Sequence, residues 1–94
     1  MKWIELIVVR SIDNQHKSDV RKLVNQLIQN KGLKEITRVT LYRNAFVETD
    51  LAIHIQWEID EAEPSKSLQG IELAAALEGF GRIHHTIWIA NENA

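Results

Sequence analysis

Apolar residues fall along this chain in two rhythms, and the alternation between them sets out its elements. Residues 3–11 carry Trp3, Ile4, Leu6, Ile7, Val8 and Val9, a run rich in strand formers and apolar at both parities. A strand that is apolar on both faces is covered on both, which puts this one in the middle of a sheet. The polar stretch from Asp13 to Lys17 reads as a loop, and Ser18 with Asp19 behind it is placed to cap a helix and complement its dipole. Val20, Leu23, Val24, Leu27 and Ile28 then recur at helical spacing as a one-sided stripe, closed by Lys31-Gly32.

The period then changes to two. Residues 35–43 and 50–59 read as strands joined by a turn over 44–49. In the second of them Leu51, Ile53, Ile55, Trp57 and Ile59 share one face, with Asp50, Ala52, His54, Gln56 and Glu58 on the other. After the acidic loop 60–64, Ser65 or Ser67 caps a second helix, whose apolar stripe takes in Leu68, Ile71 and Ala75 with Leu73, Leu77 and Phe80. Gly70 weakens its first turns by about 1 kcal/mol unless close packing compensates. Gly81 ends it, residues 82–90 form the last strand, and 91–94 read as a frayed tail. Strand–helix–strand–strand–helix–strand is the ferredoxin-like α+β plan, a four-stranded antiparallel sheet with both helices on one face. Right-handed crossovers place the first and third strands centrally. Residues 1–94 read as one such domain.

Composition narrows the function classes. With 94 residues the core is thin, and association with a second copy would add to its stability. Zero cysteine excludes disulfides, thiolate metal sites and cysteine nucleophiles. Eleven basic against 13 acidic residues, net −2, give no footprint for nucleic acid. No apolar run approaches the roughly 20 residues of a membrane span, and no signal-peptide cleavage pattern follows the amino terminus, so the expectation is a cytoplasmic protein without membrane contact.

Apolarity assigns Ile4, Leu6 and Val8 of the first strand to the helix-facing side, together with Val39, Leu41, Ile53, Ile55, Trp57, Ile83, Ile87 and Ile89. The open side then gathers Trp3, Glu5, Ile7, Val9, Arg38, Thr40, Tyr42, His54, Gln56, Glu58, His84, Thr86 and Trp88. Such a face either packs against a second sheet or lines a pocket whose polar groups orient a ligand. An imidazole titrates near roughly pH 6.5, which suits His54 or His84 to acid–base work. Glu5 among apolar neighbours needs a partner, with His54, Arg38 and Tyr42 as candidates. Trp3, Trp88, Tyr42, Arg38 and Gln56 are the candidate ligand contacts, and Trp57 reads as core. His54 and His84 flank the first strand at about 10 Å, too far apart for one metal ion. His85 points to the helices as a hydrogen-bonded core histidine.

The final stretch Phe80-Gly81-Arg82-Ile83-His84-His85-Thr86-Ile87-Trp88 and the hairpin ending His54-Ile55-Gln56-Trp57-Glu58, set in this element order, resemble the dimeric α/β-barrel superfamily, especially its antibiotic-biosynthesis-monooxygenase-like branch. The resemblance implies a homodimer, or a higher even oligomer, with sheets paired into a barrel around a ligand. It also implies oxidation of a quinol-like or other aromatic small molecule by O2 without a cofactor. In that reading Trp3, Trp88 and Tyr42 shape the pocket, His54 or His84 moves a proton, and Glu5 orients the histidine. Active members of this kind use an inward Asn, which this chain replaces by Glu5. A non-catalytic module that binds a metabolite or assembles through the same face is the alternative.

Overall fold

The computed structural model describes residues 2–10, 13–29, 36–58 and 64–91. Its elements are β1 (Lys2–Arg10), a short 3-10 turn (Asn14–His16) leading directly into α1 (Lys17–Gln29), β2 (Ile36–Arg43), β3 (Leu51–Glu58), α2 (Leu68–Leu77) and β4 (Arg82–Ile89). All strand pairs are antiparallel, in the order β2-β3-β1-β4. This is the ferredoxin-like α+β fold, with β1 and β3 central as the crossover rule requires. The proposed helix stop at Lys31-Gly32, the acidic stretch 60–63, Ile59 and the tail at 92–94 lie outside the described residues.

The strand boundaries hold within a residue or two, the second helix ends three residues early, and the differences have local causes. Ser18 is not a cap, because the 3-10 turn, tied by His16 N–H to the Asp13 carbonyl at 2.9 Å, starts the helix earlier. Ser67 is the cap of α2: its hydroxyl accepts from the Gly70 N–H at 2.8 Å. That helix stops at Leu77, before Gly81, and Phe80 reaches the core from the following turn. Gly81 serves a close approach instead, since a Cβ there would lie 2.5 Å from the Arg10 carbonyl oxygen at the end of β1.

Burial corrects two face assignments. Trp3, Glu5, Ile7 and Val9 are buried on the helix side, packed with Leu51, Ile53, Ile55, Trp57, Val20, Val24 and Leu77. Ile4, Leu6 and Val8 are half-buried on the open side. The register agrees: Trp3 pairs with Trp57 and Ile89, and Ile7 with Ile53 and His85. In β1 both parities are apolar, so the pattern lacks the contrast that fixes a face, and the charge of Glu5 pointed the wrong way. On α2 the buried residues are Gly70, Leu73, Ala74 and Leu77, while Leu68, Ile71 and Ala75 face outward. Burying Gly70 brings the helix backbone onto the sheet, and the rest of that side follows at helical spacing.

Candidate functional site

Glu5 stands at the centre of β1 with no exposed surface. Burying a carboxylate costs several kcal/mol unless donors replace its water. Two do. Trp57 donates its Nε1–H to Glu5 Oε1 at 2.8 Å, from the strand position one pair away. His85 Nε2 lies 2.6 Å from Glu5 Oε2, reaching diagonally from the register position of Ile7 on β4. Because a carboxylate oxygen can only accept, His85 donates to it through Nε2. His85 retains 8% of its side-chain exposure against 0% for Glu5, so of the pair only the imidazole keeps contact with solvent.

Gly70 makes room for this group. A Cβ at that position would lie 1.9 Å from Glu5 Oε2 and 2.8 Å from its Cδ. The first turn of α2 therefore sits directly on the carboxylate, at the positive end of the helix dipole. Trp3 stacks on Trp57 with centroids 5.7 Å apart and planes 15° apart, which holds the Trp57 indole in place. The Trp3 Nε1–H itself is buried without a hydrogen-bond partner among the described residues.

The partners expected for Glu5 are thus corrected. His54, Arg38 and Tyr42 lie on the opposite face of the sheet, where no side chain of β1 at odd positions reaches. The remaining sequence-predicted residues do share that open face. Arg38, Gln56, Ile4 and Trp88 form one row across the strands, Thr40, His54, Leu6 and Thr86 the next, and Tyr42, Ala52, Val8 and His84 a third. Tyr42 meets the His54 ring edge-on at 5.8 Å. His84 stands two strands away from His54, beyond the aliphatic stripe of β1. A groove of about 280 Å³ at the end of this face is lined by Trp3, Ile4, Gln56, Trp88, Ile89 and Ala90. It therefore brings together three of the expected ligand contacts, with Trp3 entering from the strand end. Tyr42 borders a separate groove with Val8, Arg43 and Asp50. Among the described residues, no three His, Asp or Glu side chains converge as a metal ion would need.

Sequence reasoning placed His85 toward the helices but did not connect it to Glu5. The overlooked signal is Gly70. A glycine inside a helix costs stability unless something needs its space, and here a carboxylate does.

No protein-family model and no curated protein matches the sequence. Solved structures do match over nearly the whole length. The Mycobacterium tuberculosis protein Rv0793 superposes with a TM-score of 0.65 at 14% identity, over 96% of each chain. A candidate antibiotic biosynthesis monooxygenase from Deinococcus radiodurans gives 0.65 at 13% identity, over 98% of this chain and 94% of its own. A further structure described as an antibiotic biosynthesis monooxygenase gives 0.56 at 13%, over 94% and 96%. The fold of this chain is the one found in antibiotic-biosynthesis-monooxygenase-like proteins.

Proposed function

We propose that this chain is a monooxygenase-like enzyme that acts on an aromatic or quinol-like small molecule without a bound cofactor, as a homodimer paired through the open sheet faces. The observation that carries this reading is the buried Glu5 carboxylate held by His85 and Trp57 beneath Gly70. A buried carboxylate–imidazole pair is weak evidence of a stabilising role, since apolar side chains often replace such a pair without loss of stability. Its chemistry is that of an oriented base. Nδ1 of His85 takes the proton of a phenolic hydroxyl, and the imidazolium formed is stabilised by Glu5 at 2.6 Å. Trp57 holds the second carboxylate oxygen so that the pair keeps its orientation. The phenolate is electron-rich enough to reduce O2 directly. For an anthrone, whose enol supplies that hydroxyl, the ring CH2 of the keto form and O2 give a ring C=O and water, four electrons leaving carbon and four entering oxygen. For a hydroquinone, two electrons and two protons pass to O2, giving the quinone and hydrogen peroxide. Neither needs an external reductant.

In this reading Glu5 orients the base, as expected from the sequence, and His85 takes the role first given to His54 or His84. His54, His84, Arg38, Tyr42, Gln56 and Trp88 belong to the paired face. The test is oxygen consumption with a panel of hydroquinones, naphthalenediols and anthrones. We expect turnover above background for at least one, falling by about 100-fold or more in His85→Gln and substantially in Glu5→Gln, with the far-UV circular dichroism retained. Turnover of none, with aromatic compounds still quenching the tryptophans, would replace this reading by that of a non-catalytic binding module.

A further inference from the structure

Two apolar features stand at diagonally opposite corners of the sheet. The first is the tip of the β2–β3 hairpin. Its turn is pinned by hydrogen bonds: Asn44 Oδ1 accepts from the N–H groups of Phe46 and Val47 at 2.9 and 3.0 Å, Asn44 N–H donates to the Asp50 carbonyl, and Asp50 N–H to that of Val47. The braced turn presents Phe46 with 96% of its surface exposed, beside Val47 at 45%. An exposed aromatic residue on an ordered turn can serve as an interface anchor, because the backbone that carries it need not be ordered on binding.

The second feature is the groove lined by Trp3, Ile4, Gln56, Trp88, Ile89 and Ala90, which runs around the strand ends from the open face of Ile4, Gln56 and Trp88 to the side of Trp3 and Ile89. Trp88 is exposed, and its ring orientation is fixed by Nε1–H donating to Thr86 Oγ1 at 2.9 Å. At about 280 Å³ the groove lies just below the roughly 300–1,000 Å³ of sites for drug-sized ligands. It is the right scale for one aromatic side chain and its immediate neighbours.

The register relates the two. The tip projects beyond the row of Tyr42, Ala52, Val8 and His84 on the β2–β3 side, whereas the groove occupies the opposite end of the face on the β1–β4 side. A two-fold axis lying between two facing sheets, at right angles to that diagonal, carries each tip onto the other subunit's groove in one operation. Four strands about 4.8 Å apart and eight residues long at about 3.3 Å each present roughly 500 Å² in projection. The relief of the side chains and the added tip bring this toward the roughly 800 Å² per partner of a stable interface.

We propose that the Phe46 tip of one subunit seats in the Trp88 groove of a second copy, so that each groove is completed by an aromatic ring from its partner. This rests on the open face being the dimer surface, and the experiment separates the two. The chain has no cysteine, so Phe46→Cys combined with Ala90→Cys introduces the only thiols. Mild oxidation is expected to give a covalent dimer on a non-reducing gel, while Phe46→Cys with Ala75→Cys, on the outer side of α2, stays single. Phe46→Ser is expected to raise the dimer dissociation constant by at least about tenfold and to shift tryptophan emission to the red, with circular dichroism unchanged. A wild-type monomer by light scattering overturns both the seat and the dimer. A wild-type dimer that neither cross-links through positions 46 and 90 nor weakens in Phe46→Ser keeps the dimer and overturns the seat. So does a naphthalene dye that fills the groove of the intact dimer equally well in wild type and Phe46→Ser, which would mark it as a ligand site.

Discussion

Glu5 loses its hydration entirely on folding and is compensated by two charge-assisted hydrogen bonds in a space that one missing side chain leaves free. Glu5→Ala removes that acceptor and leaves Trp57 and His85 as unpaired donors, so a loss of about 3–5 kcal/mol is expected in urea unfolding. Gly70→Ala tests the same contact from the other side. Helix propensity alone would make it stabilising by about 1 kcal/mol, yet the new methyl collides with a carboxylate that two hydrogen bonds hold in place. We expect a net loss of about 1–3 kcal/mol, and its near disappearance in the Glu5→Ala background, read as a double-mutant cycle. The two stacked indoles make a second contrast. Trp57→Phe deprives Glu5 of a donor and should cost about 1.5–3 kcal/mol. Trp3→Phe removes an N–H with no partner among the described residues and should cost less than about 1 kcal/mol or stabilise.

At the scale of elements, α2 depends on its first turn. Ser67 accepts the Gly70 N–H, and that same turn covers Glu5, so Ser67→Ala should lose about 1 kcal/mol and also loosen the site. A fall in His85-dependent oxygen consumption alongside the lower stability would show that coupling. Element order and strand centrality were legible because they rest on strong periodicities, such as Leu51 to Trp57 at every second residue and Val20 to Val24 at helical spacing. The open-face set on β2, β3 and β4 was legible for the same reason. The face of β1 was not: with Ile4, Leu6 and Val8 opposing Trp3, Ile7 and Val9, only Glu5 broke the tie, and a buried charge inverts that rule. The Glu5–His85 contact joins residues 80 positions apart and depends on which way β1 faces, so it stayed hidden until the register was known.

The molecule measures about 40 × 32 × 17 Å, two layers thick, with one face of its sheet covered by helices and the other carrying Tyr42 and Trp88 outward. No helix among the described residues is long and apolar enough to cross a membrane. Pairing through the open face would turn two thin layers into a four-layer body and leave each Glu5–His85 pair on the outer, helix-covered side. Assembly and proton transfer would then occupy opposite faces of one sheet, and a substitution such as Phe46→Ser should alter the mass without altering the geometry of the base.

The strand order carries a further consequence, in time. β1 pairs with β3 and β4 but not with β2, so β1 receives its second neighbour only when β4, which begins at Arg82, is made. At roughly 5–20 residues per second, Trp3 to Val9 wait several seconds with an edge unpaired, a stretch apolar on both sides and free of proline. The exposure to misassociation is therefore greatest during synthesis. Chains stalled before Arg82 should collect with chaperones, whereas those released after Ile89 should not.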